Sequence, residues 1–274
     1  LDAVRAPAVS GRFSPGARDE LERTVRERLD AVGEARPAPA RAAVAPHAGY
    51  LYSGLTAAHV FARLEIPPIV VILAPNHTGV SRAPGGASLW EAGAFRTPLG
   101  DVSVDDGFAR ALLETSPLVG PDHAAHASEH AVEVELPFLQ LRRADVRIVP
   151  LVLAWDAWEG CRGLGETLAG LVRRWPDRVL LLASSDLNHY EPATTSEHKD
   201  RRALDAVAAL DGAELLARCR RERISMCGRA PVATVIAAAR ALGARHADVV
   251  HYSHSGMVTG DDDAVVGYGG VVIP

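Results

Sequence analysis

His47 and His77 each follow a short apolar run, in ARAAVAPHAGY and PPIVVILAPNH. A neutral imidazole offers a lone pair to a metal ion, and its proton exchanges near neutral pH. A lone histidine in such a place is usually a hydrogen-bonded loop residue; the repeated strand, Ala-Pro and His design makes the pair a candidate metal site. A third apolar run, RVLLLAS, leads into SSDLNHY and delivers Ser184, Ser185, Asp186 and His189. An Asp three residues from a His can orient it or share its proton, so Asp186 and His189 are candidate acid/base groups. Asp186 could equally cap the following helix, and both roles are compatible.

Two further stretches carry chemistry. PDHAAHASEHAVEVELPFLQ places His126, Glu129, His130 and Glu133 at i, i+3, i+4 and i+7, on one face of a continuous helix. Val132, Leu136 and Leu139 form a neighbouring apolar stripe, which puts Glu129 and His130 either in a pocket wall or on a solvated face. HASEH also fits the H-x-x-E-H pattern of inverted zinc metalloproteases, but so short a pattern arises easily by chance, and a further carboxylate ligand would be needed downstream. ISMCGRAP places Cys227 at the start of an Ala-rich helix, where a thiol pKa is expected to fall and favour the metal-binding thiolate. Met226 invites a blue-copper reading; adjacent side chains there point in different directions, which argues against it.

These residues need a scaffold that gathers them. Runs of Ala, Val, Ile and Leu without polar alternation read as strands buried on both faces, as in a parallel sheet. With residues 147–153 and 264–273 as further strands, they predict an α/β fold with a mostly parallel or mixed central sheet flanked by helices. Helical patterns fall at 17–32, 55–64, 105–114, 160–175, 197–210 and 213–221, and a last helix carries Pro231 in its first turn and stops at Gly243. Weaker strand candidates lie at 87–90 and 102–104. In such sheets the loops leaving the strands' C-terminal ends share one crevice, so His47, His77, Ser184 and Asp186 are expected at one edge.

At 274 residues the chain is long enough for one large α/β domain, taken as residues 1–274. A net charge of −5 with scattered basic residues implies neither nucleic acid nor an acidic membrane surface as partner. Three cysteines (Cys161, Cys219, Cys227) without CxxC spacing argue against a disulfide framework and fit a reducing cytoplasm. Neither a signal segment nor an apolar run of about 20 residues is apparent. Leu rather than Met at position 1 leaves room for removal of upstream residues.

RAPAVSGRF, APHAGYLYSG, the strand ending in PNH, SEHAVEVELPFLQ, SSDLNHY, ISMCGRAP and VVGYGG, in that order, resemble the Memo-like family, whose bacterial members are called AmmeMemoRadiSam system protein B. That resemblance implies the fold of the class III extradiol dioxygenases and metal ligands at His47, His77 and Cys227. It also implies an acid/base role for His189. The expected cofactor is one transition-metal ion, Fe(II) or Cu before Zn, because imidazole and thiolate donors suit these ions. The expected activity is a dioxygenase-like oxidoreductase acting on a small molecule or peptide. The alternative is a non-catalytic adaptor that keeps the pocket, and the resemblance also implies a radical SAM system partner. One departure is Ser14 between Phe13 and Pro15, where family members often have Tyr.

Overall fold

The computed structural model describes residues 3–274. The chain runs β1 (Val4–Arg5), α1 (Arg18–Asp30), β2 (Ala42–Ala45), α2 (Tyr50–Phe61), β3 (Ile69–Pro75), β4 (Ala87–Leu89), β5 (Ala94–Thr97) and β6 (Gly100–Ser103). It continues with α3 (Asp106–Thr115), β7 (Val119–Pro121), α4 (His123–His126), α5 (Ala131–Arg142), β8 (Arg147–Leu153), α6 (Trp158–Arg174) and β9 (Val179–Ser184). The last part is β10 (His189–Glu191), α7 (Ala193–Ala208), α8 (Gly212–Arg221), α9 (Arg229–Ala241), β11 (Asp248–His254), α10 (Gly256–Thr259) and β12 (Val265–Ile273).

The fully apolar runs form the middle of the main sheet, as expected. There β2, β9, β3 and β8 are neighbours and all parallel. Antiparallel partners flank them, β12 against β2 and β4 against β8, so the sheet is mixed. Every residue of β2, β3 and β9 is buried. Each fully buried Val, Leu or Ile contributes about 1.5–3 kcal/mol, so this centre is the stable frame on which the strand-end loops are mounted. β1, β5 and β6 pair in a second, small sheet.

Two local expectations are corrected. α2 begins at Tyr50, five residues before the predicted start, because Gly54 is tolerated inside the helix against Tyr50 and Arg28. The 123–142 segment is not one helix: α4 ends at His126, and α5 starts only at Ala131. The break is stabilised by the Glu129 carboxylate, which accepts the N–H groups of His130 and Ala131, so helical spacing does not hold across it. Among the described residues, no helix is long and apolar enough to cross a membrane.

Candidate metal centre

β9 lies between β2 and β3, so the three loops that leave their C-terminal ends meet at one place. His47 follows β2, His77 follows β3, and Ser184 and Asp186 close β9. His130 comes from the break before α5. Ligand atoms of His47, His77 and His130 all lie within 4.8 Å of one another, a group able to hold a metal ion. The His77 and His130 rings stack at 4.6 Å, and His47 meets both edge-on.

Each imidazole is fixed by a different partner. His47 is buried, and its ring Nδ1 lies 2.9 Å from Ser184 Oγ. Ser184 Oγ is also 2.9 Å from the Ala131 carbonyl and 2.6 Å from Glu135 Oε1, more acceptors than one hydroxyl proton can serve. Burial pushes the Glu135 carboxyl well above the usual range, so it is protonated and donates to Ser184 Oγ. Ser184 then donates to Ala131, and its remaining lone pair accepts from His47 Nδ1–H. The Nε2 of His47 is thereby left as the acceptor nitrogen of the ring. Burial and the nearby His77 charge lower the His47 pKa to about 3, against the pull of Glu129, so the ring is neutral at ordinary pH.

His77 is held by an ionised partner. Its backbone N–H donates to Glu129 Oε2 at 2.7 Å and its Nδ1–H to Oε1 at 2.9 Å. Burial alone would lower the His77 pKa, but the hydrogen bond and charge of Glu129, with Asp186, raise it. Glu129 in turn is pushed up by burial and pulled down further by His77 and the backbone N–H groups, to about 2. His130 is lowered to about 4 by burial and by His47.

Cys227 enters from the other side. Its Sγ lies 3.3 Å from His47 Nε2 and accepts the Asp186 N–H at 3.3 Å. Gly228 makes this approach possible: a Cβ there would fall 2.4 Å from Ser185 Cβ and 2.5 Å from the Ser184 carbonyl. The expected lowering of the thiol pKa is not found; burial and the Asp186 charge outweigh the helix start and push it up. Cys227 is thus a thiol until a cation displaces its proton. Met226 is buried in the core, away from a ligand role.

Asp186 and His189 do not form the expected direct pair. Asp186 Oδ1 accepts the N–H of His47 at 2.9 Å and of Ala48 at 3.3 Å, so it shapes the His47 loop. His189 is fixed by Ser225: its N–H donates to Ser225 Oγ and its Nδ1–H to the Ser225 carbonyl at 3.1 Å. That bond leaves His189 Nε2 as the nitrogen able to exchange a proton with a ligand. His126 is not part of the site, since its Nε2 donates to the Ser88 carbonyl beside Trp90 and Phe95. The metalloprotease reading of HASEH fails with it. Glu133 is also elsewhere, paired with the buried Arg5 and accepting the N–H groups of Ala8, Val9 and Ser10.

His47, His77, His130, Asp186, His189 and Cys227 line one cleft of about 730 Å³, together with Phe13, Tyr52, Tyr190 and Tyr268. The residues that sequence reasoning missed are Glu135 and Ser225. Glu135 sits among apolar helix positions and Ser225 is an ordinary loop serine, so neither carried a signal.

The donor set suits a transition ion. Imidazole nitrogens and a displaceable thiol are what such ions bind, and two donors on one ion sit roughly 3–4 Å apart, as His47 Nε2 and Cys227 Sγ do at 3.3 Å. A family profile described as Memo-like protein matches residues 5–272. A MEMO1 family protein of Methanopyrus kandleri is 39% identical over 280 residues, covering 98% of each chain. That of Methanosarcina barkeri is 38% identical, covering 98% of this chain and 100% of the relative. In fold alone, the chain is similar to the crystal structure of an uncharacterized protein from Escherichia coli K12, with a TM-score of 0.51 at 14% identity, covering 83% of this chain and 98% of that one. With a match that runs nearly from end to end and takes in every strand end of the cleft, the chain belongs to the Memo-like family.

Proposed function

We propose that the protein holds one transition-metal ion, iron or copper, between His47 and His77, with Cys227 as third donor and His130 closing the site, and works as a dioxygenase-like oxidoreductase. The observation that carries this reading is the convergence of ring nitrogens from three imidazoles within 4.8 Å of one another, with the Cys227 sulfur 3.3 Å from one of them. A bound iron or copper ion would supply redox and Lewis-acid chemistry. The chain's own residues supply the rest. Glu129 and Ser184 orient the two imidazoles, Asp186 holds the His47 loop, and His189 Nε2 takes or gives a proton to a ligand in the cleft.

Metal content of protein purified without added metal, and oxygen uptake by that protein, test this. His47→Ala and His77→Ala are each expected to abolish stoichiometric metal while the fold persists; unchanged content in both overturns the site. Loss of metal in Cys227→Ser but not in His130→Ala supports the sulfur as third donor, and the reverse result assigns that place to His130. His189→Ala is expected to keep the metal and lose turnover.

A second reading is a binding protein without turnover. It is favoured by the large exposed apolar side chains Leu51, Met257 and Val258, which adjoin the cleft residues Tyr52, Ser255 and Thr259 in sequence. Metal-loaded protein that consumes no oxygen across a substrate screen, yet captures a partner, would select this reading.

A further inference from the structure

Among the described residues, three other than glycine have a left-handed backbone: Tyr190, Leu210 and Arg223. Two of them have an ordinary cause. Leu210 and Arg223 each follow the last residue of a helix cap, and the next N–H closes the helix end, from Asp211 to the Ala206 carbonyl and from Ile224 to the Cys219 carbonyl.

Tyr190 has no helix to close. It is the extra residue of a bulge in β10, where His189 pairs with Val266 and Glu191 with the adjacent Val265. Its φ is 58°, a conformation that glycine adopts freely and a bulky side chain does not. The side chain is not repaid by burial, because Tyr190 is 77% exposed. A costly backbone that presents an unburied ring finds its compensation in something the free chain lacks. That ring lines the metal cleft beside His189, with centroids 5.7 Å apart. Tyr52, Tyr268 and Phe13 line the same cleft, so three of the chain's five tyrosines are gathered there.

We propose that Tyr190 is a ligand-contact residue whose ring stacks on a planar, conjugated group of the small molecule seated in this cleft, its bulge being the device that aims it. The inference rests on the cleft being a ligand site, but it does not require the metal. Stacking discriminates a flat ring from a saturated one of similar size, and the two can be compared directly.

The test is calorimetric titration of the full chain with benzoate and with cyclohexanecarboxylate, in metal-free and metal-supplemented samples, with metal content and thermal melting measured on each. Wild type is expected to bind benzoate more tightly than the saturated acid. Tyr190→Gly is expected to weaken benzoate about tenfold, to leave cyclohexanecarboxylate within about twofold, and to melt at the same temperature or about 1–3 °C higher, because the strain is relieved. Tyr190→Phe should keep the preference for benzoate, and Tyr190→Ala should lose it without the gain in melting temperature. The proposal is overturned if wild type shows no binding of benzoate or no preference for it, if Tyr190→Gly binds both acids as wild type does, or if Tyr190→Gly melts lower than wild type. Metal content reports separately on the ligands at His47 and His77, so failure of that reading leaves this one to be judged by the metal-free titration.

Discussion

His47 and His77 occupy like positions, each just past the end of a buried parallel strand, yet they are held in opposite electrostatic ways. Behind His47 stands an uncharged relay in which a protonated Glu135 donates to Ser184 and Ser184 accepts from the ring. Behind His77 stands the ionised Glu129, which takes a ring N–H and three backbone N–H groups. Both arrangements fix hydrogen on Nδ1 and leave Nε2 for the cleft. The ionised partner, however, makes His77 the more basic donor, as a carboxylate behind a metal-binding histidine does. The difference follows from burial: among the described residues no countercharge acts on Glu135 to keep it ionised, whereas Glu129 has His77 and the N–H groups of a helix start.

The largest effect is expected from Glu129→Gln. An amide has one acceptor oxygen where the carboxylate offers two, and its NH2 group would face N–H donors of His77, His130 or Ala131. Leaving such buried donors unmet should cost roughly 3 kcal/mol, read as a lower urea midpoint, and should weaken metal retention as well. A variant as stable as wild type would mean that the carboxylate is not the centre of this loop. Its pH signature has a definite sign. Because the Glu129 pKa falls from 4.5 to about 2 in the fold, its contribution is complete above pH 4.5 and is lost as the pH drops towards 2.

A smaller effect separates the two histidines in metal-free protein. His47 is lowered from 6.5 to about 3, so below pH 6.5 the unfolded chain takes up a proton that the fold refuses. Stability is lost on that account as the pH falls from about 6.5, on the order of 1–2 kcal/mol by pH 5. His77 is raised, so its contribution is present below pH 6.5 and is lost as the pH rises through its folded value. His47→Gln should therefore flatten the acid side of the stability curve, and His77→Gln should steepen it. Urea unfolding between pH 5 and 8 decides this, and curves that shift in parallel would erase the contrast.

The scaffold for this contrast was largely legible in the sequence. Unbroken apolar runs mark β2, β3, β8 and β9, because strands covered on both faces have no polar alternation to hide them. Their ends named His47, His77 and Asp186. What stayed hidden depends on contacts across long separations. Nothing near Glu129 announces that it will pair with His77, and residues 127–130 contain no Gly or Pro to warn that the helix stops. The same is true of the Arg5 and Glu133 pair, and of Ser225, which fixes His189 from 36 residues away. The raised thiol pKa of Cys227 is hidden for a related reason: proximity to a helix start can be read locally, whereas burial beside Asp186 cannot.

The smallest effect, and the sharpest test of the contrast, is Glu135→Gln. If Glu135 is a neutral acid, its O–H to Ser184 can be replaced by an amide N–H of nearly the same shape. Ser184 then still donates to Ala131 and accepts from His47, and the change should stay within about 1 kcal/mol at neutral pH. The sign with pH is again fixed. A raised carboxyl pKa means that, above pH 4.5, the fold keeps a proton which the unfolded chain releases, so wild type loses stability as the pH rises while the amide does not. Glu135→Gln should therefore gain on wild type as the pH rises above 4.5, by urea midpoint. A loss comparable with that of Glu129→Gln, or a difference that does not change with pH, would mean that Glu135 is ionised and that the two histidines are held alike after all.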